Sequence, residues 1–396
     1  MSAAPTPRGT PVLAVAFALA LGSAVSLGLA RFSYALLLPP MRADLGWSYL
    51  TSGAMNTANA AGYLLGALVM PHALLRVGAR RLLLAGGAAS AVLLAAHGLV
   101  LADEWLYVLR LLTGVASAAS FVSGGLLAAR LVGAPAGLVL GIYYGGTGLG
   151  IVASALLVPP LVGLNVVHAW QWAWLALGAS ALAATVVTAR ATRGLGAVAG
   201  TGGARAPFGW PRFACGLGSY FLFGLGYIGY MTFVVTLLRE QQLGSTLITV
   251  FFGVLGVGVV ASSWLWAGLL QRFRGGQSLM LLNGLLAVAT VLPVLSAHPL
   301  AVFVSGALFG SVFLSVVAST TALVRHNLPA AAWSSGIAAF TTVFAAGQIV
   351  GPSLVGWLAD GAGGLRNGLA VSAAVLALGA LLAWGQKALP HQEQVS

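Results

Sequence analysis

The stretch PVLAVAFALALGSAVSLGLARFSYALLL (residues 11–38) decides the fold, because Arg31 is its only charged residue. A hydrocarbon core of about 30 Å needs roughly 20 predominantly apolar residues in a helix, and this run is longer than that. Barrel strands alternate apolar and polar residues over about ten positions, and this run does not. Arg8 precedes it and no convincing small-residue cleavage site follows, so we expect a retained membrane helix rather than a secretory signal.

Further runs of the same kind continue along the whole chain. Lipid offers the backbone no hydrogen-bond partners, so each run is expected to be a helix. The sequence therefore predicts an all-α integral membrane protein with twelve transmembrane helices. The predicted spans are residues 11–38, 49–70, 81–101, 105–129, 137–160, 170–189, 213–238, 246–270, 277–297, 299–323, 334–358 and 367–386.

The overall composition supports a protein whose main solvent is lipid. Of the 396 residues 59% are hydrophobic and only 6% are charged, whereas soluble proteins carry about a quarter charged residues. This excludes a soluble globular domain, a disordered chain and a disulfide scaffold, and the lone Cys215 can form no internal disulfide. The net charge of +12 would suggest nucleic acid in a soluble protein, but here the basic residues stand between apolar runs, so we expect no nucleic acid partner.

The distribution of basic residues predicts the orientation. With the N-terminus inside, 13 Lys and Arg residues fall in inner segments and 3 fall in outer loops, namely Arg42, Arg239 and Arg366. An excess of Lys and Arg marks cytoplasmic loops. We therefore expect both termini in the cytoplasm and a multi-pass protein of the bacterial cytoplasmic (inner) membrane.

The chain is expected to consist of two similar halves. Residues 190–211 form the longest polar, Gly-rich stretch and fall between the sixth and seventh runs, as a linker would. Arg76 and Arg272 are 196 positions apart, and Arg130 and Arg325 are 195 apart. We predict an N-terminal six-helix bundle (1–189), a cytoplasmic linker (190–211) and a C-terminal six-helix bundle (212–396). Such repeats place a substrate site between the halves and give alternating access.

Three motifs in the N-terminal half carry a family resemblance. They are RVGARRLLL (76–84), RLLTGVASA (110–118) and GIYYGGTGLG (141–150). With twelve spans and a 6+6 repeat, the chain resembles the major facilitator superfamily (MFS), and GLARFSYALLLPPM (28–41) and YFLFGLGYIGYMTF (220–233) are similar to its YbfB/YjiJ-like branch. The resemblance implies gating or motif roles for Arg76, Gly78, Arg80, Arg81, Gly114, Gly146 and Gly150. The family's Asp before the basic loop is replaced by Leu75, which puts the usual charge relay in doubt.

Two arginines within predicted spans are the main candidates for chemistry. An ionisable residue inside the membrane is a functional candidate by default. Arg31 lies about seven residues, or roughly 10 Å, from the outer end of its helix, and Arg110 lies at a similar level. No Asp or Glu is predicted within a span, so a bound carboxylate or phosphate would balance the two charges. The alternatives are backbone hydrogen bonding and gating for Arg110, which the resemblance suggests, and snorkelling to the headgroups for Arg31.

Amide and phenol side chains on the predicted cavity faces complete the candidate site. Asn and Tyr have more hydrogen-bonding capacity than Ser and Thr, whose hydroxyls are expected to bond neighbouring helices or their own backbone. The predicted substrate-binding residues are Arg31, Arg110, Tyr34, Asn56, Asn59, Tyr227, Tyr230 and Gln348.

The sequence shows no enzyme motif. The six histidines are scattered without metal-ligand spacing, so we predict neither a metal site nor a catalytic residue. GLGYIG (224–229) formally matches a dinucleotide fingerprint, but no strand precedes it inside a membrane span. No cofactor is therefore expected.

Three functions are weighed. The first is a secondary or facilitative transporter of a small organic anion, with a carboxylate as the expected substrate and a monomer as the expected state in the bilayer. Because no buried carboxylate can take a proton, an Asp/Glu relay is disfavoured, and exchange, facilitated diffusion and a proton carried by the substrate are left open. The second is an exporter of hydrophobic or drug-like compounds in which the arginines only gate. The third, a membrane enzyme or a receptor, is disfavoured because the longest loop has about 22 residues.

Overall fold

The computed structural model describes residues 12–195 and 208–389, and nearly all of these residues are helical. Within these two ranges, twelve helices are long and apolar enough to cross a membrane. We number them α1 to α12 in chain order: Val12–Leu45, Tyr49–Val77, Ala79–His97, Asp103–Ala129, Gly137–Val162, Ala169–Ala191, Trp210–Glu240, Ser245–Arg272, Gln277–Leu295, Pro299–Asn327, Trp333–Ala359 and Gly364–Trp384. The predicted fold class is confirmed.

Several helices extend beyond the predicted runs. The first continues to Leu45 through two prolines, Pro39 and Pro40, where the sequence run ended at residue 38. Helices α2 and α10 also extend, to Val77 and Asn327. Hydropathy marks the part of a helix that contacts lipid, whereas a helix continues until its backbone loses its hydrogen bonds or meets a cap.

Helices from different halves contact each other along two seams, α2 against α11 and α5 against α8, and α1 also packs on α7. Glycines permit the α5–α8 contact, since a Cβ placed on Gly148 would lie 2.8 Å from the backbone nitrogen of Val260. Small residues of this kind let membrane helices approach closely. Residues 196–207 of the predicted linker lie outside the described residues, so the domain boundaries stay a prediction.

Hydrogen bonds between α2 and α11 lie at one end of the bundle, which we call the predicted outer end (loops 46–48, 98–102, 163–168, 241–244, 296–298 and 360–363). The Asp360 carboxylate accepts from the amides of Tyr49 and Leu50, at 2.8 and 2.9 Å. Thr57 donates to the Ile349 carbonyl at 2.8 Å. Because an anion is favoured at a helix N-terminus, Asp360 stabilises the contact of α11 with the start of α2.

Candidate functional site

The part of α1 that carries Arg31 is a π-helix. It runs from Ala24 to Phe32, and the Ser33 amide donates to the Gly28 carbonyl five residues back, at 3.0 Å. A Cβ on Gly150 of α5 would lie 2.8 Å from the Cα of Gly28, so the two backbones are in close contact. π-Helical turns are rare and are often found at functional sites, where they redirect side chains. This segment therefore sets the direction of the Arg31 side chain.

Arg31 is a buried cation without a hydrogen-bond partner. Its side chain is 4% exposed, and its Nε and Nη2 atoms have no acceptor among the described residues. Its guanidinium makes a cation–π contact with the ring of Tyr63, whose centroid lies 5.7 Å from Arg31 Cζ. Within residues 12–195 and 208–389 the one ion pair is His168 with Asp44, so no protein carboxylate balances Arg31.

Three helices that contact α1 carry phenol groups, Tyr63 on α2, Tyr144 on α5 and Tyr227 on α7. Tyr63 is in cation–π contact with Arg31, and Tyr227 is joined to the next residue of α1 through Phe313, whose ring contacts both Tyr227 and Phe32. In the described ranges the hydroxyls of Tyr63 and Tyr144 make no hydrogen bond to the protein, and Tyr144 is 39% exposed. Gln348 of α11 donates to the Tyr227 hydroxyl. Both halves therefore carry polar aromatic groups on helices that pack against α1.

The C-terminal half adds a set of nearly parallel aromatic rings. The ring of Tyr227 stacks on those of Phe223, Phe344 and Phe313, with centroids 4.7, 5.7 and 6.0 Å away and interplanar angles of 11–19°. We call the five rings of this group the ring stack: Tyr220, Phe223, Tyr227, Phe313 and Phe344. Phe32, the neighbour of Arg31, meets Phe313 edge to face at 5.6 Å. The ring stack thus begins directly beside the π-helical segment.

Arg110 differs from the expectation, because its donors are engaged within the protein. It is 1% exposed, and it donates to the carbonyls of Ala30 and Met55 at 3.1 and 3.4 Å and to Asn56 Oδ1 at 3.1 Å. Its guanidinium also lies 4.5 Å from the centroid of the Tyr34 ring. The predicted pair of unpartnered arginines is therefore wrong for Arg110. Its contacts match the alternative in which it bonds main-chain oxygens of α1 and α2.

Three predicted binding residues belong to the surroundings of Arg110 instead. The Tyr34 hydroxyl donates to the Ser52 carbonyl at 2.9 Å. Asn59 Nδ2 donates to the Arg110 carbonyl at 3.1 Å, and Asn56 Nδ2 donates to Thr232 Oγ1 of α7 at 2.6 Å. Asn56 therefore links Arg110 to the C-terminal half. All three side chains donate hydrogen bonds to acceptors within the described chain, whereas Arg31 does not.

Tyr230 is not brought to the centre. Its hydroxyl forms a 2.6 Å hydrogen bond with Ser305 of α10, and its ring stacks on Phe309 at 4.1 Å. Ser305 in turn donates to the Ala289 carbonyl of α9. Tyr230 therefore packs inside the C-terminal half, and the structure does not support its assignment to the substrate site.

The basic loop after α2 makes contacts within its own half. Gly78 has φ +85°, a left-handed conformation that favours glycine, and it ends α2. Arg80 donates to the carbonyls of Thr192 and Ala189 at 2.8 and 3.0 Å, which places a cation at the C-terminus of α6. Arg76 and Arg81 are exposed, and so is Leu75, which occupies the family's Asp position.

The predicted motif glycines lie where helices cross. A Cβ on Gly114 would lie 2.6 Å from the Tyr63 amide of α2, and one on Gly146 would lie 2.7 Å from the Ala20 backbone of α1. Gly150 meets Gly28 in the same way. Gly114 therefore packs α4 against α2, which carries Tyr63. Gly146 and Gly150 pack α5 against α1, which carries Arg31.

The sequence does not indicate two aromatic residues of the site, and it misjudges the hydroxyl groups of α4. Tyr144 and Phe313 were not selected, since an aromatic residue in an apolar run gives no signal of the direction it faces. The expectation that Ser and Thr hydroxyls bond neighbouring helices or their own backbone is wrong for Thr113, Ser117 and Ser120 of α4, which are buried without a partner among the described residues. No group of three or more His, Cys, Asp or Glu side chains in the described part of the chain is arranged to hold a metal ion.

The fold and this central site define a class, a membrane transporter built from two bundles of helices. A family model described as "Uncharacterised MFS-type transporter YbfB" matches residues 23–384, and the chain belongs to this family of MFS transporters. The YbfB-like resemblance is thereby confirmed. A search of curated proteins finds no match.

Solved structures of two other transporters share the fold. A bacterial homolog of the human lysosomal transporter Spinster, in an inward-facing and unoccupied conformation, has a TM-score of 0.71 and 15% identity over 94% of this chain and 96% of that one. The nucleoside transporter NupG has a TM-score of 0.71 and 13% identity over 94% of this chain and 98% of that one. At these identities the likeness concerns the fold alone.

Proposed function

We propose that the protein transports a small organic anion, with a carboxylate as the substrate group, by alternating access. The observation that carries the proposal is Arg31, a buried guanidinium whose Nε and Nη2 have no acceptor in the described chain. A buried charge without a partner is costly, and a carboxylate can satisfy a guanidinium through two parallel hydrogen bonds. Tyr63 of the N-terminal half contacts this guanidinium, and the Tyr227–Gln348 pair of the C-terminal half is joined to the same segment of α1 through Phe313 and Phe32. Groups from both halves fit a site with alternating access.

Arg110 has a different part in this proposal. Through Asn56 its guanidinium is connected to Thr232 in the other half, so it supports the contact that closes the predicted outer end. Opening that end requires Asn56 and Thr232 to separate, while Arg110 keeps its bonds to α1 and α2. The proposed substrate group therefore contacts Arg31 alone among the two buried arginines.

The test is counterflow in proteoliposomes that contain the full-length protein, with a panel of monocarboxylates and dicarboxylates. We expect Arg31→Gln to lower carboxylate affinity by about a hundredfold, since a charged hydrogen-bond pair contributes about 1.5–3 kcal/mol per bond. Arg366→Gln is the matched control, because Arg366 is exposed at the predicted outer end. Wild-type rate and affinity in Arg31→Gln would contradict the anion site.

A second candidate is an exporter of neutral hydrophobic compounds, which the ring stack favours. Such a protein would bind its substrate by aromatic contact, and Arg31 would contribute only a cation–π interaction with Tyr63. The same proteoliposomes separate the two candidates. Transport of neutral aromatic compounds that is insensitive to Arg31→Gln would favour the exporter.

We further propose a bacterial inner-membrane location with both termini in the cytoplasm and a monomeric state. The orientation is supported by the distribution of Lys and Arg, with 13 in the predicted inner segments and 3 in the predicted outer loops. Fusion of a fluorescent protein or of alkaline phosphatase to the C-terminus tests it. Fluorescence without phosphatase activity is expected, and active phosphatase would reverse the orientation.

A further inference from the structure

The charge around Arg31 limits the charge of the substrate. In the described helices Arg31 and Arg110 are the two Lys or Arg residues far from the helix ends, and Arg110 already donates to three protein acceptors. A second carboxylate on the substrate would therefore meet the ring stack and the Tyr227–Gln348 pair, without a cation. An unpaired charge in such surroundings is strongly unfavourable. The site is thus suited to one negative charge.

Two half-buried aromatic rings from opposite halves lie at the same level of the bundle. Thr57 of α2 bonds Ile349 of α11, and Tyr63 and Phe344 stand six and five residues further from the predicted outer end on these two helices. The ring centroids of Phe344 and Phe223 are 5.3 Å apart and the interplanar angle is 12°, so the two rings are nearly parallel. A flat ring that lies parallel to Phe344 would extend this arrangement, and offset stacking contributes beyond simple burial.

Few polar groups remain for a substrate that carries many hydroxyls. The hydroxyls of Tyr63 and Tyr144 are without protein partners in the described ranges, whereas the side-chain amide nitrogen of Gln348 is engaged with Tyr227. A sugar or nucleoside leaves several donors and acceptors to be satisfied, and unpaired buried polar groups are costly. A substrate with one charged group and one apolar ring matches this inventory.

We infer that the substrate is an aromatic monocarboxylate, with its carboxylate on Arg31 and its ring against Phe344 and Tyr63. The inference rests on the proposed function and adds the substrate class. The carboxylate would take the Nε and Nη2 donors of Arg31, which are the two parallel donors of a bidentate pair. Alternating access would then move the ring stack away from Arg31, since the stack belongs to the C-terminal half and Arg31 to the N-terminal half.

The experiment measures binding to the purified full-length protein in detergent by calorimetry. The reference probe is benzoate. Cyclohexanecarboxylate tests the aromatic ring, phthalate tests a second negative charge, and benzamide tests the loss of the charge. We expect benzoate to bind about tenfold tighter than cyclohexanecarboxylate, which corresponds to the upper range of an aromatic pair. Benzamide and phthalate are expected to bind at least tenfold more weakly than benzoate.

Variants show whether the preference arises at the ring stack. Phe344→Leu should bring the benzoate to cyclohexanecarboxylate ratio close to one, while Phe344→Tyr, which keeps a ring, should preserve it. Phe303→Leu is the matched control, because Phe303 is also half-buried but lies near the start of α10, outside the ring stack. Melting temperatures without ligand verify that each variant is folded.

The outcomes separate this inference from the proposed function. Equal binding of benzoate and cyclohexanecarboxylate, both lost in Arg31→Gln, would overturn the aromatic substrate and retain the anion transporter. Tighter binding of phthalate would overturn the single charge. Equal binding of benzamide and benzoate, or binding of none of the four probes, would overturn both proposals.

Discussion

Arg31 and Arg110 are the same residue type at neighbouring positions in the fold, yet their surroundings are opposite. Arg110 donates to the Ala30 carbonyl, so its guanidinium lies against the residue that precedes Arg31. Arg110 has an acceptor for each nitrogen, whereas two nitrogens of Arg31 have none in the described chain. A buried cation whose partners are built into the protein stabilises the fold, and one without them is available to a ligand. The two arginines can therefore be tested against each other.

The largest effect is expected at Arg110. Arg110→Ala removes three hydrogen bonds and the cation above Tyr34, and the loss of a partner from such a buried set costs about 3 kcal/mol. The melting temperature of the detergent-solubilised protein should fall clearly below that of Arg366→Ala, the exposed control. An unchanged melting temperature would show that the contacts of Arg110 contribute little.

At Arg31 we expect a substitution to raise the stability of the unliganded protein, the opposite of the effect at Arg110. Arg31→Leu replaces an unpartnered buried charge by an apolar residue, and such replacements are often stabilising. We predict a gain of about 1 kcal/mol in the unliganded protein, measured as a higher melting temperature, together with loss of carboxylate binding. A clear fall in melting temperature would contradict the view that Arg31 is unpaired, and the comparison between the two arginines would fail.

A smaller effect is expected on the population that is open at the predicted outer end, to which Arg110 is linked through Asn56. Thr232→Val removes the acceptor of Asn56 Nδ2 but leaves the bond from Arg110 to Asn56 in place. Loss of one hydrogen bond, about 1 kcal/mol, should raise the population open at that end roughly fivefold.

This change can be followed by alkylation of a cysteine at position 353, beside Thr57 in the contact between α2 and α11. The labelling is done in a Ser353→Cys, Cys215→Ala protein with a membrane-impermeant maleimide. Thr320→Val is the control, since Thr320 donates to Val317 within its own helix. Equal labelling rates in both variants would show that the Asn56–Thr232 bond does not hold the end closed.

The sequence was sufficient for the fold but not for the difference between the two arginines. Lipid requires long apolar helices, so the twelve spans could be read from hydropathy, and depth along a helix could be counted from residues. The partners of Arg110 are carbonyls of α1 and α2, which every residue possesses and no sequence pattern reveals. The π-helical turn also changes which way residues after Ala24 face, and regular helical spacing cannot predict it.

Tyr230 illustrates the same limit. Tyr227 and Tyr230 are three positions apart, which indicates a shared helix face. That face is wide enough for Tyr227 to join the ring stack while Tyr230 bonds Ser305 of α10. Spacing therefore indicates that Tyr227 and Tyr230 share a side of α7. It does not show that the two residues contact different neighbours.

The smallest predicted effect is at Tyr34, which the sequence placed at the substrate and the structure places beneath Arg110. Tyr34→Phe keeps the ring under the guanidinium and removes only the hydrogen bond to the Ser52 carbonyl. We expect about 1 kcal/mol or less of lost stability and an unchanged affinity for benzoate. Tyr63→Phe is the paired variant, since it removes a hydroxyl beside Arg31 and should weaken binding without a change in stability. If Tyr34→Phe weakens binding instead, the surroundings of Arg110 are part of the substrate site, and the two arginines act on the same anion.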